Sequence, residues 1–280
     1  MNNLITIDLE DYYHVSGLQD VAPREKWNDF SGRIEIGANI ILEALDGVKA
    51  TFFVLGWVAK KYPDLVKKIS AAGHEIATHG CNHSLIDSLT RKEFLEDLRK
   101  AKCGLEDLSG KPVKGHRAPS FSVTDKTPWA FEAIAEAGLI YDSSVFPVKR
   151  RRGGISGSSL EPYLVETSFG SVIEFPLTVF DFCKRKFPAA GGGFFRLYPY
   201  CLTAKIIQAV NRSGRPAVIY LHPWEFDSDQ PKLKSRLSRN GFNHYIGLKT
   251  TIKKFRKLIR DFSLISMEDY INANNCWKDN

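Results

Sequence analysis

The chain has 280 residues, of which 43% are hydrophobic and 25% are charged, and its formal net charge at pH 7 is +7. This is the composition of an ordinary globular protein that can bury a sizeable core. The chain contains no internal repeat and no low-complexity tract, which excludes a repeat protein. No run of about 18 apolar residues is present, so no membrane-spanning helix is expected.

The predicted elements alternate between strands and helices. In chain order they are a strand over 4–8, a helix over 34–45, a strand over 50–55, a helix over 63–72, a strand over 74–78, a helix over 90–110, a strand over 113–117, a helix over 128–137, a strand over 172–175, a helix over 200–211, a strand over 217–221 and a helix over 248–262. The alternation predicts an α/β fold, and at this length a distorted (β/α)7-8 barrel. We expect a single domain over 1–280, with a core over about 4–224 and a C-terminal helical extension.

The start of the chain and the cysteines bear on the cellular compartment. The first residues lack the basic segment and the long apolar segment of a signal peptide. The cysteines are odd in number, scattered and without a Cys-x-x-Cys pair, which predicts free thiols in a reducing compartment. They are Cys81, Cys103, Cys183, Cys201 and Cys276. A cytoplasmic location is therefore expected.

Five polar residues fall at the carboxyl ends of predicted strands. They are Asp8, His79, Arg117, Asp142 and His222. In a parallel barrel these ends share one face, which is where the active sites of such proteins lie. The pattern therefore predicts one site built from distant segments of the chain.

Three carboxylates, those of Asp8, Glu10 and Asp11, fall within four residues at the end of the first strand. They repel one another unless a cation or an arginine offsets their charge. On a strand, Asp8 and Glu10 point to the same side, whereas Asp11 turns away or belongs to the following loop. One carboxylate can bind a metal while another acts as a general base, and an exposed acidic turn is the alternative.

His79 and His83 are four residues apart, a spacing at which two neutral imidazoles can converge on one divalent ion. Together with a carboxylate they predict a two-histidine, one-carboxylate site that leaves positions open for water and substrate. The thiol of Cys81 lies between them in the sequence, and for it we expect packing within the loop rather than metal ligation.

Arg117 and His222 each follow an apolar strand. An arginine on the site face can hold a carboxylate ionised and oriented, and Pro119 can direct a following backbone N–H into the site as an oxyanion donor. A histidine between Leu and Pro suits a proton donor to a leaving amine. The alternatives are a surface arginine and a core histidine. Among the other histidines, His14 and His244 are those that could line a groove.

Basic residues concentrate in three runs, over 149–152, 184–186 and 232–239. Such runs can bind anionic glycans, lipid-linked phosphates, membrane surfaces or nucleic acid, and a solvated face is the alternative. No nucleic-acid-binding motif accompanies the charge, so no nucleic-acid partner is expected.

The ordered motifs resemble those of the NodB-homology polysaccharide deacetylases, the family 4 carbohydrate esterases, over about residues 4–224. The shared features, in the family's order, are an acidic motif after the first strand, His-x-x-x-His, Arg-x-Pro, and Leu-His near the end. Each motif is short, but the combination is specific. A closer likeness is to the subgroup encoded in exopolysaccharide and O-antigen loci, and it is carried by 8–15, 51–56, 141–144, 191–197 and 222–225.

The resemblance implies roles for the matching residues. Asp8 matches the general base, Arg117 the residue that orients it, and His222 the general acid. His79 and His83 match ligands of one divalent metal ion, for which zinc is the implied identity.

Two carboxylates are alternatives for the third metal ligand, because the family has two adjacent aspartates where this chain reads Asp-Leu-Glu-Asp. Related Asp-x-Asp variants favour Glu10, with Asp11 as the alternative carboxylate ligand.

Three residues are expected to contact substrate. Phe121 replaces a family tyrosine, so it keeps the backbone N–H and lacks the phenol. Asp142 begins a segment that replaces the family's Asp-x-x-Trp groove motif. Trp224 is an expected wall of the sugar site, and the further aromatic candidates are Phe194, Phe195 and Tyr198.

The function implied by the resemblance is hydrolysis of an N-acetyl group on a sugar or glycan by metal-activated water. The expected substrate is a polysaccharide, an oligosaccharide or a lipid-linked sugar, with an anionic one among the options. The alternatives are an O-acetyl esterase or small-amide hydrolase of the same fold, a non-catalytic glycan-binding module, and a binder of membranes or nucleic acids.

Overall fold

The computed structural model describes residues 1–150, 152–182, 185–189, 191–233 and 244–274. In chain order, its strands and helices are β1 (Asn3–Leu9), α1 (Ile34–Ala44), β2 (Thr51–Val54), α2 (Gly56–Lys61), α3 (Pro63–Ala71), β3 (Glu75–Thr78), α4 (Arg91–Ser109), β4 (Gly115–His116), α5 (Trp129–Glu136), β5 (Tyr141–Asp142), β6 (Tyr163–Thr167), β7 (Gly170–Glu174), β8 (Val179–Phe182), β9 (Arg185–Pro188), α6 (Gly192–Leu197), α7 (Tyr200–Arg212), β10 (Val218–Leu221), α8 (Leu248–Asp261), β11 (Leu264–Ile265) and α9 (Met267–Ala273). Within these ranges, no helix combines the length and the apolar character that crossing a membrane requires.

Helix α4 shows how local chemistry sets the element boundaries. The Thr90 side chain accepts a hydrogen bond from the backbone N–H of Glu93, and the Glu93 side chain accepts one from the N–H of Thr90. This reciprocal cap satisfies backbone donors that the first turn leaves unpaired. The helix ends at Gly110, whose φ of 66° is a left-handed conformation that glycine adopts without a Cβ penalty.

The main sheet is curled and mostly parallel. Its strand order is β10-β1-β2-β3-β4-β5-β7-β6, and β11 also pairs with β1. All pairs from β10 to β7 are parallel, and only β6 runs antiparallel to its neighbour β7. The predicted α/β fold with a distorted (β/α)7-8 barrel is therefore confirmed.

Two contacts bridge the gap between β7 and β10. The backbone N–H of Val218 donates to Thr178 Oγ1 at 2.7 Å, and Gly191 forms an isolated parallel bridge with Tyr220. A Cβ on Gly191 would collide with the Tyr220 ring, so this close approach requires glycine. The loop after β7 therefore completes the wall that the strands leave open.

Strand β1 is buried on both faces, and its alternation separates two environments. Ile5, Ile7 and Leu9 join the larger apolar cluster, to which the helices contribute, while Leu4 joins a smaller cluster with Phe53 and Tyr141. Side chains alternate across a strand, so Thr6 and Asp8 point to the same inner side as Leu4. The inner face of β1 thus turns polar toward its carboxyl end.

The segment after residue 224 was expected to be a helical extension. It contains α8 and α9, but it also contains β11, which pairs with Asn3 and Leu4 at the start of β1. The end of the described chain thus returns to the beginning of β1.

Candidate active site

Glu10, His79 and His83 converge just beyond the carboxyl ends of β1 and β3. Glu10 Oε1 lies 2.9 Å from Nε2 of His79 and 2.9 Å from Nε2 of His83. All three side chains are buried, and one ligand atom from each lies within 4.8 Å of the others. The predicted two-histidine, one-carboxylate group is therefore assembled by the fold.

The tautomer of His79 makes this group suitable for a cation. Its Nδ1 lies 2.7 Å from the carbonyl oxygen of Arg117, which only accepts, so Nδ1 must donate. In the neutral imidazole, Nε2 then presents a lone pair toward the anionic oxygen of Glu10. Burial by itself raises the pKa of Glu10, but His83 and His79 hold this pKa well below its ordinary value. Two imidazole nitrogens and one ionised carboxylate are donors that zinc accepts.

The loop between the two histidines is anchored by Asp97 of α4. Its carboxylate accepts a hydrogen bond from the backbone N–H of Cys81 at 2.8 Å, and the Cys81 thiol donates to the Asp97 carbonyl at 3.4 Å. Burial raises the pKa of this thiol to about 12. Cys81 thus packs within the loop, as predicted, and is not part of the converging group.

Asp11 is committed to the start of α1. One carboxylate oxygen accepts from the backbone N–H groups of Arg33 and Ile34, at 2.7 and 3.0 Å, and the other from Tyr12 N–H at 2.8 Å. Burial raises the pKa of this carboxyl to about 6. The geometry therefore favours Glu10 over Asp11 as the carboxylate that faces the imidazoles.

Asp8 and Arg117 form a buried ion pair on the inner side of the barrel. Arg117 Nη1 donates to Asp8 Oδ1 and to Thr6 Oγ1, both at 2.7 Å. Its other donors reach the carbonyl and the hydroxyl of Ser143, at 3.1 and 2.9 Å, and its guanidinium lies 4.1 Å from the Phe53 ring centre. A fully buried arginine with its donors used in this way fixes the orientation of the Asp8 carboxylate.

His222 faces the other oxygen of Asp8. Its Nε2 lies 3.8 Å from Asp8 Oδ2, and its Nδ1 lies 2.7 Å from Glu225 Oε1. Burial by itself lowers the pKa of His222, but the hydrogen bond and charge of Glu225, with smaller contributions from Glu10 and Asp8, raise it to about 9. The imidazole is therefore protonated at neutral pH in the metal-free protein.

Glu225 and Arg196 are site residues that the sequence interpretation did not assign. Arg196 Nε donates to Glu225 Oε2 at 2.6 Å, and both side chains are buried. Burial raises the pKa of Glu225, but Arg196 and His222 outweigh it and the pKa is lowered. The available signal was the spacing of His222 and Glu225, three residues apart across a 3-10 turn that Pro223 opens.

A cleft of about 520 Å³ gives access to these groups. It is lined by acidic, basic, aromatic and small residues from seven segments of the chain: Asp8, Glu10, Val15, Ser16, Gly17, His83, Ser120, Phe121, Arg150, Arg152, Gly192, Gly193, Phe194, Arg196, Leu197, Tyr220, His222, Trp224, His244 and Ile246. The candidate base and acid and two of the three candidate metal ligands, Glu10 and His83, therefore meet at one opening.

Trp224 forms part of this lining, as expected. Its ring stacks on His222, with centroids 5.2 Å apart, and on His244, with centroids 4.2 Å apart. His244 also lines the cleft, whereas His14 does not: it is buried, and its Nδ1 accepts from the N–H of Asp11 at 3.0 Å.

Phe121 lines the cleft in a left-handed conformation, with φ of 57°. This conformation is rare for a bulky residue and is often found at functional sites. Its backbone N–H donates to the carbonyl of Ala118 at 2.9 Å. That N–H was a candidate oxyanion donor, and in this structure the turn itself already uses it.

Asp142 does not reach the cleft. Its carboxylate is fully buried, accepts from His116 Nδ1 at 2.7 Å, and is bonded to the N–H and hydroxyl of Ser144. The Ser144 hydroxyl in turn accepts from the N–H of Ala118 at 2.7 Å. Full burial is incompatible with the expected substrate contact, so Asp142 supports the Arg117–Pro119 segment from behind.

The three further aromatic candidates for a sugar-binding wall separate in the structure. Phe194 lines the cleft, Phe195 is fully buried in the core, and Tyr198 lies outside the lining. The helical turn of α6 points adjacent residues in different directions, so only one of these rings faces the opening.

Comparisons with known proteins agree with this fold. A family model described as polysaccharide deacetylase matches residues 41–139, and a model described as a domain of unknown function matches residues 143–272. A solved structure from Mycobacterium smegmatis, of a candidate polysaccharide deacetylase, aligns with a TM-score of 0.65 at 21% identity, over 98% of this chain and 90% of that one. This likeness bears on the fold alone.

Two relatives with named activities are similar to this chain in sequence. A chitooligosaccharide deacetylase from Sinorhizobium fredii is 41% identical over 172 residues, which is 60% of this chain and 75% of that protein. A peptidoglycan-N-acetylglucosamine deacetylase from Bacillus cereus is 33% identical over 128 residues, which is 45% of each protein. The chain spans less than half the length of several of the relatives it matches.

Proposed function

The chain belongs to the polysaccharide deacetylase family, and on this premise we propose that it hydrolyses an N-acetyl group on a sugar or glycan with the help of one divalent metal ion. The observation that carries the proposal is the convergence of Glu10, His79 and His83 beside the Asp8–His222 pair in one cleft. The products are acetate and an amino sugar. Relatives of the chain are named peptidoglycan-N-acetylglucosamine deacetylase and chitooligosaccharide deacetylase, which is why an amide rather than an ester is proposed.

Glu10, His79 and His83 would hold the metal, and zinc is the proposed ion because the donors are two imidazoles and a carboxylate. A divalent cation bound there supplies Lewis acidity toward the acetamide carbonyl. The loop that presents His83 is fixed on its far side, since Ser16 Oγ lies 3.4 Å from His83 Nδ1 and 2.8 Å from Ser120 Oγ. Such contacts around the ligands orient the imidazoles before any ion arrives.

Asp8 is the proposed general base. Arg117 engages Oδ1 of its carboxylate, which leaves Oδ2 on the side of His222 and the cleft. A water that attacks the acetamide carbon there gives its proton to this oxygen as the new carbon–oxygen bond forms. Arg117 does not contact the reacting atoms, and its role is to fix the orientation of the Asp8 carboxylate.

His222 is the proposed general acid. Glu225 holds Nδ1, so Nε2 is the nitrogen that presents a proton to the cleft. As the carbon–nitrogen bond breaks, that proton passes to the leaving amine, and the raised pKa of about 9 keeps it in place at neutral pH before the reaction. Trp224, stacked on the imidazole, restricts its rotation.

Acetate release is the decisive measurement. Zinc-loaded protein is incubated with a tetramer of N-acetylglucosamine and, in parallel, with an O-acetylated xylan oligosaccharide. We expect acetate from the first substrate, none after chelation of the metal, and recovery when zinc is restored. Acetate from the ester alone would replace the proposal with an esterase, and tight glycan binding without acetate from either would replace it with a binding module.

Three further proposals concern the family subgroup, the domain organisation and the cellular location. We propose that the chain belongs to the subgroup of exopolysaccharide and O-antigen loci, because two of the segments that carry that likeness, 191–197 and 222–225, supply Arg196 and Glu225 to the site. A single domain is supported because both matched segments contribute strands to the same sheet. A cytoplasmic location is supported by the free thiols of Cys81, Cys103 and Cys201, while Cys183 and Cys276 lie outside the described residues.

A further inference from the structure

The basic run that begins at Lys149 has no part in the chemistry above, yet two of its residues reach the active-site cleft. Arg150 and Arg152 both belong to the lining that also contains Asp8 and His222. Lys149, next to them in the chain, is exposed and does not line the cleft. The fold therefore brings Arg150 and Arg152 to the cleft, while Arg151 lies outside the described residues.

The loop that carries Arg150 packs closely against the turn that contains Phe121. Arg150 N–H donates to the Gly153 carbonyl at 2.9 Å, and Ile155 N–H donates to the Phe146 carbonyl at 2.9 Å. A Cβ on Gly153 would collide with the carbonyl oxygen of Phe121, so the loop can approach this turn only with glycine there. The position of Arg150 over the cleft is thus built into the backbone.

Aromatic rings hold the Arg150 guanidinium in place. It lies 4.4 Å from the ring centre of Phe146 and 5.8 Å from that of Phe121. Phe121 contacts Tyr220 edge-on, with centroids 4.7 Å apart, and Tyr220 contacts His222 at 5.9 Å. Two ring contacts therefore connect the platform under Arg150 to the candidate general acid. A planar guanidinium stacked in this way is preorganised to bind a carboxylate or phosphate through paired N–H donors.

The other charged groups of the cleft are already paired. Asp8 is bonded to Arg117, Glu10 faces the two histidines, and Arg196 is bonded to Glu225. Among the residues that the structure describes, no carboxylate pairs with Arg150. Within the described residues, Arg150 thus gives the cleft a positive charge that has no carboxylate partner.

We infer that Arg150 binds an anionic group of the substrate next to the N-acetyl sugar that is hydrolysed. The inference rests on the proposed function, since it takes the cleft to be the glycan site. The anionic group would offer Arg150 a pair of carboxylate or phosphate oxygens. It has two sources: the carboxylate of a uronic acid within a glycan, or the diphosphate that links a sugar to a carrier.

The test compares ligands that differ in charge. Zinc-loaded protein is titrated by calorimetry with a tetrasaccharide that alternates N-acetylglucosamine and glucuronic acid, with a neutral N-acetylglucosamine tetramer, and with a uridine diphosphate N-acetyl sugar. Arg150→Gln is the test variant. Arg150→Lys keeps the positive charge but lacks the paired N–H donors of the guanidinium. Lys149→Gln is the matched control, because it makes the same change of charge in the same basic run. Acetate release from the two tetrasaccharides is measured in parallel.

We expect an anionic ligand to bind the natural protein about tenfold more tightly than the neutral tetramer, the size of effect that a charge-assisted contact gives. Arg150→Gln should remove most of that ratio, Arg150→Lys part of it, and Lys149→Gln none. The ligand whose ratio falls identifies the source, uronate or diphosphate. Equal affinity for all three ligands, or an equal loss of the ratio in Arg150→Gln and Lys149→Gln, would overturn the inference.

The two proposals fail in different ways. Acetate release with no charge preference would leave the deacetylase proposal standing and remove the anionic subsite. Binding of the anionic ligand through Arg150 without acetate release would support the subsite and remove the deacetylase proposal.

Discussion

His222 and Glu225 are joined by a 2.7 Å contact between Nδ1 and Oε1, across a 3-10 turn of only four residues. The second oxygen of Glu225 accepts from Arg196 Nε at 2.6 Å, so the imidazole is tied through one carboxylate to a buried guanidinium. This arrangement holds the charge of the candidate general acid in place through its Nδ1. It also makes the protonation state of His222 depend on a residue that never meets the substrate.

Replacing Glu225 with Gln should lower the pKa of His222. In metal-free protein, NMR titration of the imidazole should give a pKa near 9 for the natural chain and a value closer to the ordinary 6.5 for the variant, because the negative partner is gone. Glu43→Gln, at an exposed position, is the control and should leave the titration unchanged. An unaltered His222 titration in Glu225→Gln would show that Glu225 does not set the charge of the imidazole.

The same pair predicts a pH-dependent stability. The folded-state pKa of His222, about 9, is above the unfolded value, so its stabilising contribution is fully present below pH about 6.5 and is lost as the pH rises through about 9. Urea unfolding of metal-free protein should therefore show a difference between natural chain and Glu225→Gln that shrinks by about 3 kcal/mol between pH 6 and pH 10. A difference that stays constant over this range would contradict the assignment.

Replacing Asp8 with Asn should abolish turnover while leaving the fold and the metal content largely intact. The amide can still accept from Arg117 but cannot take a proton, and loss of a general base typically costs a factor of about 10² to 10⁴ in rate. Acetate release, the circular dichroism spectrum and the zinc stoichiometry are the measurements. A variant with near-normal acetate release would exclude Asp8 as the base.

Metal binding should distinguish the two neighbouring carboxylates. Glu10→Gln and His79→Ala should lose most of the bound zinc after dialysis, because each removes one of the three converging donors. Asp11→Asn should keep its zinc but unfold at a lower denaturant concentration, because its carboxylate accepts three backbone hydrogen bonds. Elemental analysis and urea unfolding report the two effects.

Cys81→Ser is the matched control for the metal experiment, since this residue lies between the two histidines and its thiol contacts Asp97 instead. It should bind zinc like the natural chain. A full zinc content in Glu10→Gln together with a loss in Asp11→Asn would reverse the assignment of the carboxylate ligand.

The local features of this protein can be read directly from the sequence. Apolar periodicity, the Thr90–Glu93 cap and the glycine at 110 define strands and helices that the structure confirms. Alternation along β1 places Asp8 on the inner side, and the parallel order then brings His79, Arg117 and His222 to the same end of the sheet. These features are local or topological, so short-range patterns determine them.

The tertiary structure decided how deeply individual side chains are buried and which charged groups pair. Asp142 ends a strand just as the sequence suggests, yet it is buried beneath Ser144 rather than exposed to the cleft, and Phe195 faces the core while Phe194 faces the opening. Arg196 and Glu225 pair across 29 residues of chain, and Arg150 reaches the cleft because Gly153 contacts Phe121. A periodic pattern gives the direction of a side chain from its strand, but its distance from the cleft and the partner of its charge depend on packing between distant segments.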